Sequence, residues 1–167
     1  MEKVDKNYNL EKIRIEIQEL QDTLGWMNNK HMYLQTRDGK PLVSQLFRSK
    51  PEHNKTYNQL VIDSNTEIAK FITENNLYRT RVLKLQSGQC YSWHKDRELR
   101  MHLAIITNEK CFVIENEKMQ HVPQDGHPYV VNTYDKHTAM NCNPIDFDRI
   151  HICLLYTSDA ADESVGV

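Results

Sequence analysis

The first half of the chain shows the hydrophobic spacing of amphipathic helices. Apolar residues at positions 10, 13, 17, 20 and 24 recur every three or four residues, which predicts a helix over residues 10–24 with one apolar face. A second helix is predicted at about residues 64–75, because Ser64 can serve as its N-cap and Glu67 follows three residues later, as in a capping box. Between them, "HMYLQTRDGKPL" predicts one or two short strands around a turn.

From Tyr78 onward the pattern changes to short runs typical of β-strands. Seven such runs are separated by turn signals: "YRTRVLKLQ", "MHLAIIT", "KCFVIE", "KMQHV", "PYVVNT", "HTAMN" and "DRIHICLLY". So many short strands in fewer than eighty residues predict a sandwich or barrel with the helices packed outside it. We interpret residues 1–152 as a single domain, with a helical N-terminal part (1–77) and a β-barrel core (78–152).

Composition narrows the functional classes. The 167 residues are 26% charged, with a formal net charge of -2, so no basic surface for nucleic acid is indicated. No apolar run approaches the roughly 20 residues of a membrane span, and the first residues do not resemble a signal peptide. The sequence therefore predicts a cytoplasmic protein that binds neither nucleic acid nor membrane.

Two residues in "SWHKDRELRMHLAIIT" suggest a metal site. His94 and Asp96 are two positions apart, which places both side chains on one face of an extended chain. Such pairs occur often by chance, and most are solvated surface groups. His137 in "NTYDKHTAMN" is the best candidate for a third ligand, because two histidines and one carboxylate form the facial triad of non-haem Fe(II) oxygenases.

A basic strand follows in "DRIHI". In a strand, Arg149 and His151 share one face while Ile150 and Ile152 share the other and can pack against the helices. A buried arginine needs an anion, and a dicarboxylate could supply one through a bidentate pair.

The strand "RMHLAI" follows the same alternation. Arg100 and His102 share one face there with Ala104, a small residue that suits pocket lining. For Arg100, the alternative is a surface ion pair with Glu98 or Asp96, which is common and contributes little stability.

Two further possibilities concern ligands and their support. Cys90 lies four residues before His94, but no second cysteine has the spacing of a zinc site.

Asn132 and Asn141 bracket His137, and either could orient it through a hydrogen bond, as metal-bound imidazoles usually require.

The residues from about 79 to 152 resemble the aspartyl/asparaginyl β-hydroxylase family of Fe(II)/2-oxoglutarate-dependent dioxygenases, which is related to the L-proline cis-hydroxylases. The resemblance covers a little under half of the chain. It rests on several motifs in the right order: "WHKD", "LRMHLAIITN", "HVPQDGHPYVVNT", "HTAMN" and "RIHI".

This resemblance implies a double-stranded β-helix, a cupin-like jelly-roll barrel. It implies that His94, Asp96 and His137 hold Fe(II), that Arg149 binds the distal carboxylate of 2-oxoglutarate, and that Arg100 and His102 lie near the metal-side end of that cosubstrate. The implied reaction uses dioxygen to hydroxylate an amino acid or a peptidyl Asp, Asn or Pro side chain, with release of succinate and CO2. The alternative from another class is a non-catalytic cupin-like module that binds a metal or ligand.

The C-terminal residues resemble something other than a protein family. Residues 153–163, "CLLYTSDAADE", look like a translated transposon mosaic-end sequencing adapter. Under this hypothesis residues 153–167 are a non-native tail, and the chain could be a truncated fragment without function.

Overall fold

A computed structural model describes residues 1–42 and 51–156, without the side chains of residues 51–53. Within these ranges the chain is mainly β, with two α-helices and antiparallel sheets, and this confirms the predicted fold class. No helix of the described ranges combines the length and apolar character that a membrane span requires.

Helix α1, Leu10–Thr23, confirms the first predicted helix. The side chain of Asn9 caps it by accepting a hydrogen bond from the backbone N–H of Lys12 at 3.1 Å. Ile13 and Ile17 are buried on the face that the hydrophobic spacing indicated, so the helix packs against the sheet along one stripe.

Helix α2, Glu67–Glu74, is shorter than predicted and has a different cap. Thr66, not Ser64, is the N-cap, and its hydroxyl accepts from the backbone N–H of Ala69 at 3.1 Å. The carboxylate of Glu16 on α1 accepts from two further amides of the first turn. The capping-box prediction was wrong because this tertiary contact satisfies the amides that a local box would have served.

The larger sheet has six antiparallel strands in the order β1-β9-β6-β11-β5-β2. Their bounds are Glu2–Lys3 for β1, His31–Tyr33 for β2, Tyr78–Leu85 for β5, Leu99–Ile106 for β6, Tyr129–Val131 for β9 and Arg149–Tyr156 for β11. The N-terminal part thus contributes strands as well as helices. Cys153–Tyr156 form the second half of β11, while the rest of the predicted tail, residues 157–167, lies outside the described residues.

The smaller sheet faces the larger one. It has the order β10-β7-β8, with bounds Cys111–Glu115 for β7, Lys118–Gln120 for β8 and His137–Asn141 for β10. Residues 88–94 extend it along β10 through backbone hydrogen bonds and two isolated bridges. A minor pair, β3 (Gln35–Thr36) with β4 (Gln59–Leu60), completes the strands, and a 3-10 helix spans Pro51–Thr56. All seven strands predicted after residue 77 are present.

Two apolar clusters hold these layers together. The larger lies between the helices and the outer face of the six-stranded sheet and includes Ile13, Ile17, Ile68, Phe71, Leu103 and Ile152. The smaller lies between the sheets and includes Leu85, Val113, Val131 and Ala139. The larger cluster confirms that Ile150 and Ile152 pack on the helix side of β11, so Arg149 and His151 point between the sheets.

Candidate metal centre

Strand pairing brings His94 and His137 together. They form an antiparallel bridge in which each backbone N–H donates to the other's carbonyl, at 3.2 and 3.0 Å. Residues directly opposite in such a pair present their side chains on the same face. The imidazole centroids are 4.3 Å apart, so residues 43 positions apart in sequence become neighbours at one point of the smaller sheet.

Asp96 completes a three-residue group. Its Oδ2 lies 3.5 Å from Nε2 of His137 and 4.0 Å from Nε2 of His94. One potential ligand atom from each residue lies within 4.8 Å of the others. The backbone N–H of Asp96 donates to the carbonyl of Thr133 at 2.8 Å, which holds the loop against the segment between β9 and β10. The arrangement has the donor set of a facial triad.

Backbone carbonyls orient both imidazoles. Nδ1 of His94 is 2.7 Å from the carbonyl of Ser92, and Nδ1 of His137 is 3.0 Å from that of Asp135. Because a carbonyl only accepts, each Nδ1 carries a proton, and Nε2 is the ring nitrogen that faces Asp96 and the space between. The expectation that Asn132 or Asn141 orients His137 was wrong.

Arg100 contacts the carboxylate of this group. Its Nε donates to Oδ2 of Asp96, so the predicted alternative of an ion pair with Asp96 is present, although it lies at the cavity wall. Burial raises the pKa of Asp96, but hydrogen bonds from His137 and Arg100 outweigh burial and hold that pKa well below its usual range. Burial lowers the pKa of His137, and the hydrogen bond with Asp96 outweighs this and raises it. The carboxylate is therefore ionised at neutral pH.

Arg149 is a buried cation. The residue is 1% exposed, and none of its three guanidinium nitrogens has a hydrogen-bond partner in the described part of the chain. Burial lowers its pKa, yet a guanidinium stays protonated in proteins. Such a cation is costly unless an anion pairs with it, and this observation fits a carboxylate ligand.

A cavity of about 200 Å³ connects the two histidines of this group with the arginines. It exceeds the roughly 150 Å³ that accommodates a molecule the size of benzene. His94 and His137 line it with Arg100, His102 and Arg149. The structure therefore brings together all the residues predicted for metal and cosubstrate.

Other lining residues were not singled out from the sequence. Arg81 of β5 and Cys153 of β11 both line the cavity. Burial raises the pKa of Cys153, but His102 and the nearby arginines outweigh burial and lower it to about 6. The signal for Arg81 was its place in the alternation of "YRTRVLKLQ", on the same face as Leu83.

The aromatic residues before His94 differ from each other. Tyr91 lines the cavity, and its hydroxyl pKa is raised by burial. Trp93 is 56% exposed and is not among the lining residues. Only Tyr91 therefore contributes to the cavity wall.

Comparisons with known proteins give similarities in fold only. No family model and no curated protein matches the chain. Similar solved structures include a cupin superfamily protein from Desulfitobacterium hafniense, which is 10% identical with a TM-score of 0.37; the match covers 47% of this chain and 66% of that one, just under two thirds of its length. Another is a predicted oxalate decarboxylase from Thermotoga maritima, 16% identical with a TM-score of 0.39, covering 53% of this chain and 73% of that one.

A third similar structure is KdgF from a Halomonas species, 17% identical with a TM-score of 0.36, covering 50% of this chain and 72% of that one. With TM-scores this low, the fold assignment rests on the strand order and pairing of the chain itself. The chain is similar to cupin superfamily proteins, and its resemblance to the aspartyl/asparaginyl β-hydroxylases stays a prediction.

Proposed function

We propose that this chain is an Fe(II)- and 2-oxoglutarate-dependent dioxygenase that hydroxylates an amino acid or a peptidyl Asp, Asn or Pro side chain, with release of succinate and CO2. One observation supports this above all others. Both histidines of a two-histidine, one-carboxylate group line the same cavity as a buried arginine that has no hydrogen-bond partner among the described residues. The first suits Fe(II), and the second suits the far carboxylate of 2-oxoglutarate.

The three ligand residues fit an iron ion. Nε2 of His94 and of His137 and Oδ2 of Asp96 converge, and each Nδ1 is anchored on a carbonyl. Two histidines and a carboxylate leave coordination positions for other ligands. When bound, Fe(II) with 2-oxoglutarate and dioxygen would supply the oxidising chemistry that protein side chains lack.

The arginines would position the cosubstrate. Arg149 offers a planar guanidinium that can hold a carboxylate in a bidentate pair and so fix its distance from the ligand group. Arg100 donates to Asp96 and would fix the orientation of the Asp96 carboxylate as a metal ligand.

The apolar part of the cavity wall would limit the access of water to the site. Leu83, Val113, Val131 and Ala139 line the cavity between the polar groups. Apolar walls around a reactive centre reduce side reactions with solvent and strengthen the electrostatic contacts inside. The chain's own share in the reaction would thus be binding, orientation and exclusion of water.

Anaerobic loading with Fe(II), followed by measurement of succinate formed from 2-oxoglutarate in air, tests the proposal. We expect succinate from the wild-type chain and none above background from His137→Ala, which removes a ligand. His127→Ala is the matched control, since His127 does not line the cavity, and it should retain wild-type turnover. Equal turnover in His137→Ala and the wild type would contradict the proposal.

Metal binding separates the proposal from its alternative. Tight Fe(II) binding without any change in the metal's absorption spectrum on adding 2-oxoglutarate would support a non-catalytic cupin-like module. A spectral change that is lost in Arg149→Gln, with Fe(II) affinity retained, would support the dioxygenase.

A further inference from the structure

We infer that Glu115 is a positioning residue of the candidate metal centre. Its carboxylate anchors residues 132–136, named here the β9–β10 segment, and this segment holds Asp96 and His137 in place for the ion. The inference deepens the proposed function and rests on its metal-binding part alone.

The β9–β10 segment contacts two of the three predicted ligands through its backbone. The carbonyl of Thr133 accepts from the backbone N–H of Asp96 at 2.8 Å, and the carbonyl of Asp135 lies 3.0 Å from Nδ1 of His137. The hydroxyl of Thr133 also donates to the carbonyl of Glu98 at 2.5 Å. A displacement of the segment would therefore move the carboxylate ligand and reorient an imidazole ligand at the same time.

A carboxylate from the neighbouring hairpin holds the start of this segment. Oε2 of Glu115 accepts from the backbone N–H of Asn132 at 2.6 Å. The side chain of Asn132 then accepts from the backbone N–H of Tyr134 and donates to the carboxylate of Asp135, each at 3.2 Å. Local bonds of this kind stabilise a turn, so the position of Asn132 fixes that of the carbonyls that follow it.

Glu115 is itself fixed. It is 5% exposed, and its Oε1 accepts from Nε2 of Gln120 at 2.8 Å and from the ammonium group of Met1. Charge-assisted hydrogen bonds to a buried carboxylate are about twice as strong as neutral ones. Glu115 is also the cross-strand partner of His137, and directly opposite residues present their side chains on one face of a sheet. The anchor therefore lies beside a ligand.

The third predicted ligand has a separate support. Nδ1 of His94 is 2.7 Å from the carbonyl of Ser92, which lies outside the β9–β10 segment. Loss of Glu115 should therefore weaken metal binding without abolishing it. The contacts that orient metal ligands are typically worth about 10- to 100-fold in metal affinity.

Anaerobic titration calorimetry with Fe(II) alone, in the absence of 2-oxoglutarate, tests the inference. Glu115→Ala should raise the Kd for Fe(II) by about 10-fold or more. Glu115→Gln keeps a side-chain carbonyl that can accept from Asn132, and it should lose only about threefold, the difference between a charged and a neutral hydrogen bond. Glu117→Gln is the matched control, since Glu117 is exposed in the turn between β7 and β8, and it should bind Fe(II) as the wild type does.

Amide hydrogen exchange of the metal-free chain gives a readout that does not depend on iron. In Glu115→Ala the backbone N–H of Asp96 should exchange at least about 10-fold faster relative to the amides of β6, because its acceptor is released while the sheet stays closed. Ile152→Ala is the destabilised control. It should speed exchange at both places together and keep the Kd for Fe(II) within about twofold of the wild type, so a merely structural role of Glu115 would resemble this variant.

Two results would overturn the inference: unchanged Fe(II) affinity in Glu115→Ala, or loss of affinity without faster exchange at Asp96. Thermal denaturation checks that each variant is folded. If Glu115→Ala does not fold, Glu115→Gln decides, and wild-type affinity with wild-type exchange would overturn the inference. If the wild type does not bind Fe(II), the proposed function fails, whereas exchange at Asp96 in the metal-free chain still tests Glu115.

Discussion

The two faces of the six-stranded sheet differ in what they contribute. The outer face presents apolar side chains to the helices: Met101, Leu103, Ile105, Ile150, Ile152 and Leu154. The inner face of the same strands presents, beside apolar residues such as Leu85 and Ala104, a set of six further residues that are polar or ionisable: Arg81, Arg100, His102, Arg149, His151 and Cys153. Burial of the first set stabilises the fold, whereas burial of the second set costs stability unless a ligand or partner compensates. Alternate positions of one strand therefore carry stability and chemistry separately.

The largest effect is expected on the outer face. Ile152→Ala should lower the free energy of unfolding by about 2–5 kcal/mol, because Ile152 is fully buried and its truncation leaves a cavity. Ile15→Ala is the matched control, since Ile15 on α1 is 62% exposed and its loss should have little effect. Urea denaturation monitored by circular dichroism measures both. A similar loss in the two variants would show that the outer face does not carry the core.

A smaller effect of opposite sign is expected on the inner face. Arg149→Met should raise the free energy of unfolding of the ligand-free chain by about 1–3 kcal/mol, because it removes buried donors that have no partner within the described part of the chain. The same substitution should abolish 2-oxoglutarate binding.

Lys84→Met is the control for this prediction. Lys84 is a buried cation on the outer face, but it donates to Asn29, pairs with Asp148 at 3.9 Å and lies over the ring of Trp26. Removing it should therefore lower stability. If Arg149→Met were as destabilising as Lys84→Met, the inner face would be stabilising by itself, and the contrast between the faces would not hold.

The sequence predicted much of this contrast because a strand has a period of two. In "DRIHI" the alternation alone predicted that the side chains of Arg149 and Ile150 point to opposite faces of the sheet, and the structure agrees. The meeting of His94 with His137 needed more, since two distant segments must pair in one register. Only the order of several motifs suggested that pairing beforehand.

Other contacts between distant segments could not be predicted. The cap of α2 depends on Glu16 from another helix, and the partners of the imidazoles are backbone carbonyls, which any residue supplies. Arg81 was visible in the alternation, but its burial was not, nor was the lack of a hydrogen-bond partner for its Nε among the described residues, because a charged residue in a strand is ordinarily solvated. Local periodicity thus predicts the direction of a side chain, and tertiary structure decides its partners.

The smallest effect concerns pH and again separates the faces. His151 lies on the inner face, is 1% exposed, and neither ring nitrogen has a partner among the described residues. Burial, with the charge of Arg149 and the imidazoles of His102 and His121, lowers its pKa well below the ordinary 6.5. The unfolded chain therefore binds a proton below pH 6.5 that the folded chain does not, and stability is complete above that pH and falls as the pH decreases.

One such histidine contributes a slope of at most about 1.4 kcal/mol per pH unit. Urea denaturation of the metal-free chain between pH 8 and pH 5 should show a smaller acid loss in His151→Leu than in the wild type. Part of the loss should remain in the variant, because burial also lowers the pKa of His31, while the raised pKa of His137 contributes with the opposite sign. These contributions are common to both chains, so the difference between their pH profiles isolates His151. Identical profiles would mean that His151 is hydrated or paired in solution. Burial of the inner-face residues would then lower the free energy of unfolding by less than their contacts indicate.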